Sequence, residues 1–288
     1  MDEAEPVFAG TGNREAVDGP ARSAASVSLH LTPFAAIRLL DLSAVEAARR
    51  LAARLAAPVP PAARAGSTAE AAPVRLVTVA FLNMRNYMAL RRHPDGVAAY
   101  HDVDEVYPDG VGLQLARRIL GLARFHRVAG TDLVPMLLER LRPGTRVYLL
   151  GATPAVSDAA ATGFRRRFPW LVLAGSHHGY FEPAADAAVV ADIARAAPDL
   201  LLVGMGSPLQ ERWIARNRHQ LSGRVAICVG GLFHYWADDL HRAPRVLRGL
   251  GLEWLWILLQ QPYKWRVYSI DAARFGAAVV RLKRLGYS

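Results

Sequence analysis

Two short segments hold the residues best suited to chemistry. In Tyr107-Pro108-Asp109-Gly110-Val111-Gly112 a carboxylate stands between a proline and a glycine. That places it on a tight turn, a common setting for a positioned general base. The pattern that follows, Leu113 to Leu120, reads as a helix, so the turn would also offer free backbone N–H groups to an anion. On these residues alone a plain turn is the simpler account. The second segment runs from Pro198 to Glu211, where the apolar Leu200-Leu201-Leu202-Val203 meets Gly204-Met205-Gly206-Ser207-Pro208 and then Leu209-Gln210-Glu211. A buried strand running into a glycine corner that opens a helix lets a phosphate approach the backbone. Gln210, on the first turn, is placed to hydrogen-bond a ligand there.

Three competing chemistries find less support. A dinucleotide site would need the third glycine of its fingerprint, which is missing, and an acid for the ribose, which the strand ending at Gly230-Gly231 does not offer. Asp102-Val103-Asp104 resembles a metal-binding acid pair but more simply ends a polar helix ahead of the strand-like Val106 and Tyr107. His177 and His178 are adjacent, point in different directions and lack a third ligand at a known spacing, so they read as polar loop groups.

The elements that must position these residues alternate. Apolar, β-rich runs at 76–82, 146–151, 171–176, 199–206 and 224–231 are separated by segments of helical length, such as 154–168 and 208–221. This alternation predicts an α/β fold, a Rossmann-like parallel sheet flanked by helices, with ligands at the carboxyl ends of the strands. Upstream, Ser43 with Glu46 three residues on is a capping box, and Leu51 and Leu55 continue an amphipathic helix. Residues 1–30 read as a flexible tail and 57–73 as an Ala/Pro-rich linker inside an α/β domain spanning 31–240.

Residues 241–288 form a helical, basic C-terminal appendage. Nine Lys and Arg against Glu253 and Asp271 give this stretch +7 of the chain's +10, interleaved with Trp254, Trp256, Tyr263, Trp265 and Tyr268. Amphipathic aromatics among cations suit an anionic lipid surface or an anionic substrate held there. At 288 residues, 52% hydrophobic and 21% charged, the chain has the composition of a core-forming globular protein. Its single cysteine, Cys228, excludes an internal disulfide framework and fits a reducing compartment. Acidic residues near the N-terminus argue against a signal peptide, and no apolar run reaches the ~18–20 residues of a membrane span. The expected location is the cytoplasm, peripherally on the inner face of the plasma membrane. No recognised nucleic-acid motif accompanies the charge, so nucleic acid is not an expected partner.

In order, Asn83, Pro108-Asp109-Gly110, Arg127-Val128-Ala129-Gly130-Thr131-Asp132, Leu149-Leu150-Gly151-Ala152 and Gly175 with Gly179-Tyr180-Phe181 are followed by Gly204-x-Gly206-Ser207-Pro208-x-Gln210-Glu211, Gly230-Gly231-x-Phe233, Arg242-Ala243-Pro244 and Gly251-Leu252-Glu253-Trp254. This ordered set, from about Leu76 to Tyr268, resembles the WecG/TagA/CpsF family of glycosyltransferases. The resemblance implies an inverting, metal-independent transfer, without a cofactor, from a UDP-sugar to a polyprenyl-diphosphate-linked acceptor in bacterial exopolysaccharide or other cell-surface glycan synthesis. It assigns Asp109 as the catalytic base. It places Asn83, Gly110, Gly151, Gly204, Gly206, Ser207, Gln210, Glu211, His234, Lys264 and Arg266 at the substrates, with Lys264 and Arg266 offsetting charge on the departing UDP. An anionic membrane surface is the partner implied for the C-terminal segment, and a homo-oligomer is left open.

Several positions depart from the family pattern: Phe81 stands for a usual Thr, His234 for Asp, Asp238 for Gly, and Ile257, Lys264 and Val267 for Arg. These departures imply a changed sugar nucleotide. The alternative is a non-catalytic membrane- or partner-binding module on a degenerate glycosyltransferase scaffold. An enzyme would gather Asp109, Gln210 and His234 around one cleft, whereas a binding module could leave them scattered.

Overall fold

The computed structural model describes residues 25–32, 35–57, 75–249 and 251–285. Strands β1 (Ala25–Thr32) and β2 (Ala35–Asp41) form an antiparallel hairpin. Residues 25–30, expected as the end of a tail, are therefore strand: Val27, Leu29 and Leu31 alternate with Ser26, Ser28 and His30, the period of a strand with one covered face. The remaining tail and all of the linker but Ala57 lie outside the described residues. Helix α1 (Ala44–Ala56) starts at the expected capping box, with Ser43 and Glu46 each bonded to the other's backbone N–H.

The body is a six-stranded sheet in the order β4-β3-β8-β7-β5-β6, parallel at every pairing. Its strands are β3 (Val77–Leu82), β4 (Glu105–Pro108), β5 (Arg146–Gly151), β6 (Val172–His177), β7 (Leu200–Gly204) and β8 (Val225–Cys228). Both faces are covered, which is why β7 and β8 read as unbroken apolar runs and β3 departs from one only at Thr78. One face packs α1 with α5 (Gly130–Leu138), α6 (Pro154–Arg167) and α9 (Leu232–Trp236). The other packs α2 (Met84–Arg92), α3 (Pro94–His101), α4 (Val111–Leu120), α7 (Asp186–Ala196) and α8 (Leu209–Asn217).

The appendage comprises α10 (Arg245–Gly249), α11 (Glu253–Gln260) and α12 (Trp265–Arg284). Phe275 meets Tyr87 edge-on at 5.3 Å, Val279 is buried in the same cluster, and the buried Asp271 carboxylate pairs with Arg92 at 2.8 Å. Burying two such apolar side chains is worth roughly 1.5–3 kcal/mol each, so α12 belongs to the core of that face. The Asp102-Val103-Asp104 segment ends α3, as expected. Asp104 lies by the amino end of β3, accepting from Thr78 N and Oγ1 and pairing with Arg75 and Arg218, at the edge opposite the glycine corners.

Candidate active site

Asp109 follows β4, and its backbone N–H donates to the Leu82 carbonyl at 2.8 Å, holding the ends of β4 and β3 together. Gly110, at φ +78°, then turns the chain into α4, a backbone conformation that a side chain would strain. From the end of β3, Asn83 caps α2: its Oδ1 accepts the Asn86 backbone N–H at 3.0 Å. With the oxygen so engaged, the amide nitrogen faces Asp109 and reaches Oδ2 at 3.4 Å. Protein surroundings displace water from the Asp109 carboxyl and push it up to about 6, the Glu253 charge adding to this while Asn83 and Arg127 oppose it. The group is ionised at neutral pH yet basic enough to accept a proton from a hydroxyl.

Asp109 opens into a cavity of about 700 Å³. Asn83, Gly110 and Tyr235 lie around it on the body side, Trp254, Ile257 and Leu258 of α11 and Trp265 and Tyr268 of α12 form the opposite wall, and Arg85 and Arg127 add cations. The Arg85 guanidinium lies 5.5 Å from the Tyr268 ring centre. Burial and the Glu253 charge push the Tyr235 phenol up to about 12. The wall is fixed from behind: Arg242 pairs with Asp132 at 2.8 Å and with Glu253 at 3.3 Å, and Arg248 reaches the same Asp132 oxygen at 3.1 Å.

The glycine corners occupy the neighbouring strand ends. A Cβ on Gly151 would fall 2.3 Å from the Gly204 carbonyl oxygen and one on Gly204 2.8 Å from that of Gly230, so the three chain segments close up only without side chains there. Gly206 and Ser207 carry the chain from β7 into α8. Gln210 is buried; its Oε1 accepts the Gly230 N–H at 3.1 Å and its Nε2 donates to Glu211 at 2.9 Å. Glu211 is wholly buried, and burial pushes its carboxyl up to about 7. His234 Nδ1 lies 2.5 Å from Asp239.

Asn83, Asp109 and Gly110 thus share one cavity, whereas Gly151, Gly204, Gly206, Ser207, Gln210, Glu211, His234 and Lys264 lie outside its lining. Of the three residues expected around one cleft, Asp109 lines this cavity and Gln210 and His234 do not, although His234 adjoins the cavity residue Tyr235. Lys264 stands at the α11–α12 junction, 5.7 Å from the Tyr263 ring centre, its amine lowered by burial and by the nearby Arg85 charge. Arg266 lies within α12, but its side chain is outside the described part of the structure. Phe81 turns into the core against Gly130 and Tyr107, whereas Ile257 faces the cavity. Asp238 takes both Arg166 and Arg167.

The sequence motifs contained Arg127 and Glu253 without marking them as site residues, and Arg85 and Tyr235 carried no local signal at all. His177, the last residue of β6 rather than a loop group, and His178 bring their rings to 4.5 Å at a tilt of 37° instead of pointing apart, beside Phe181, and no three His, Cys, Asp or Glu among the described residues are grouped to hold a metal ion.

Comparison with known proteins agrees with this arrangement. Residues 59–287 match the model of the Glycosyl transferase WecG/TagA/CpsF family. A protein of Bacillus spizizenii named N-acetylglucosaminyldiphosphoundecaprenol N-acetyl-beta-D-mannosaminyltransferase is 32% identical over 195 residues, 67% of this chain and 74% of the relative. A protein of the same name from Staphylococcus aureus is 36% identical over 152 residues, 52% of this chain and 59% of the relative. With a parallel α/β body, a carboxylate at the strand ends and most of its length matched, the chain belongs to the WecG/TagA/CpsF family of glycosyltransferases.

Proposed function

We propose that the enzyme transfers a sugar from a UDP-sugar to a polyprenyl-diphosphate-linked sugar acceptor, with inversion at the anomeric carbon. The names of the two relatives, both acting on a diphosphoundecaprenol-linked sugar, support the acceptor class. The observation that carries the mechanism is the Asp109 carboxylate, open to the cavity and oriented by Asn83. The acceptor hydroxyl sits against Asp109, which removes its proton as the oxygen attacks the anomeric carbon and the bond to UDP breaks. The donor lies toward the Gly204–Ser207 corner, so the diphosphate leaves on the side of the anomeric carbon away from the attacking oxygen. Its developing charge is met by backbone N–H groups of that corner and by the cavity cations Arg85 and Arg127, with Lys264 beyond the lining adding to the positive field. Protein cations then take the part a divalent ion plays elsewhere, and chelation with EDTA should leave turnover unchanged.

The test is Asp109→Asn, an isosteric change. Transfer should fall about a hundredfold or more while UDP affinity stays within about twofold. Transfer at the wild-type rate would remove Asp109 as the base. Among the described residues no helix is long and apolar enough to cross a membrane. The lipid-linked acceptor and the basic, aromatic appendage support work at the inner face of the plasma membrane, with contact through residues 241–288.

A further inference from the structure

The base and the glycine corner are carried by strand ends that do not touch. In the order β3-β8-β7, the end of β3, which leads into Asn83, and the end of β7, which leads into Gly206-Ser207, stand two strand spacings apart, roughly 9–10 Å. Helix α3 bridges that gap. A Cβ on Gly96 would fall 2.8 Å from Pro208 Cβ, so the helix lies directly on the corner, and Asp95 pairs with Arg212 of α8 at 2.7 Å.

From the far end of α3, Tyr100, 1% exposed, places its hydroxyl between the two sides. The hydroxyl is 3.0 Å from the Phe81 carbonyl oxygen and 3.4 Å from Asn86 Nδ2 on one side. On the other it is 3.2 Å from Ser207 Oγ and 3.2 Å from Glu211 Oε1. One phenol has a single proton and two lone pairs, three bonds in all, so its four polar neighbours more than fill its capacity: Asn86 and Ser207 donate to the oxygen, and the proton serves the Phe81 carbonyl or Glu211 in turn. Packing alone would be served by phenylalanine, since a buried hydroxyl costs free energy unless it is bonded. The contacts continue both ways. The Asn86 backbone N–H fixes Asn83, which faces Asp109; Glu211 accepts from Gln210, which holds the Gly230 N–H.

We propose that Tyr100 is a positioning residue for the transfer reaction: its hydroxyl sets the distance between the strand end that orients Asp109 and the Gly204–Ser207 corner that takes the donor diphosphate. Tyr100 lines neither the cavity nor the corner and acts through Asn86 and Ser207. The inference rests on the functional reading above, in which Asp109 is the base and the corner binds the donor.

Tyr100→Phe keeps the ring and removes the link. In the full-length protein, assayed well below its melting temperature, kcat should fall about tenfold and the Kd for UDP should rise several-fold, the size expected for one buried hydrogen bond. Ser207→Ala should share that effect, so the double variant should be little worse than the worse single one. A lowered melting temperature with wild-type kcat, KM and UDP affinity would overturn the proposal, as would additive effects in the cycle. Should Tyr100→Phe not fold, Asn86→Ala and Ser207→Ala remove partners from opposite sides of the hydroxyl. Coupling between them in kcat supports the link, and strict additivity overturns it. Asp109→Asn is assayed in parallel. If it transfers normally, the functional reading fails, whereas a dead Asp109→Asn beside an unaffected Tyr100→Phe overturns the Tyr100 role alone.

Discussion

Asp109 is held between neighbours that pull its proton affinity in opposite directions, which makes its titration a readout of the site. With the carboxyl near 6, kcat/KM should fall below about pH 6 as the base takes up one proton. Asn83 stabilises the charged form and Glu253 disfavours it. Asn83→Ala should therefore move that midpoint up and Glu253→Gln should move it down, as measured by pH–rate profiles; shifts in the same direction would contradict the assignment. Glu211 gives a stability counterpart. Its folded carboxyl titrates near 7 against an ordinary value of 4.5, so the folded state holds the proton more tightly. Stability is then fully present below about 4.5 and is lost as pH rises through about 7, by about 3 kcal/mol for this group. Glu211→Gln should lose less stability than wild type between pH 5 and pH 8 in urea titrations. Asp109 was legible in the sequence because proline and glycine bracket it. Tyr100 and Tyr235 were not, because a single tyrosine within a helical stretch looks the same whether it packs or hydrogen-bonds across the fold.

At the level of elements, the strands were legible where burial on both faces forces an unbroken apolar run, as in β7. Strand β4 was harder to see: its four residues include Glu105, a charge that is buried only because Arg50 of α1 reaches it at 2.7 Å and Tyr107 donates to it at 2.6 Å. The hairpin β1–β2 was missed because a polar, alanine-rich composition preceded it and outweighed its alternation. Helix α12 was expected as an appendage, but its sequence could not show that Asp271 points inward. Asp271→Asn weakens the Arg92 pair without leaving a buried charge, since Arg92 remains partly exposed. The cost should be about 1 kcal/mol or less, concentrated in α12. Hydrogen exchange should show α12 opening more often while α6 stays unchanged. Because α12 supplies part of the cavity wall, the acceptor KM should rise several-fold more than the UDP Kd.

Across the whole molecule, the charge surplus and the cavity coincide. Residues 241–288 hold +7 of the chain's +10, and their α11 and α12 close the cavity into which Asp109 opens. Leu259 and Tyr263 are 69% and 72% exposed near the α11–α12 junction, outside the cavity, and Trp265 of the cavity wall is itself 57% exposed beside them. Scattered single exposures are ordinary, but three beside a basic surface suit an interface where lipid headgroups meet acyl chains. A lipid-linked acceptor held in that bilayer would then reach the cavity from the appendage side, its sugar entering toward Asp109. Two forces should be separable in vesicle binding. Raising salt weakens the electrostatic part on anionic vesicles within a Debye length of the surface. Leu259→Glu with Tyr263→Glu removes the apolar part and should reduce association about tenfold even at low salt. These two side chains lie outside the cavity lining. Transfer to a short-chain, water-soluble acceptor should therefore remain close to wild type, while transfer to the vesicle-borne acceptor falls. Equal vesicle binding by the double variant and wild type would separate the appendage from the membrane and leave its charge to the substrates alone.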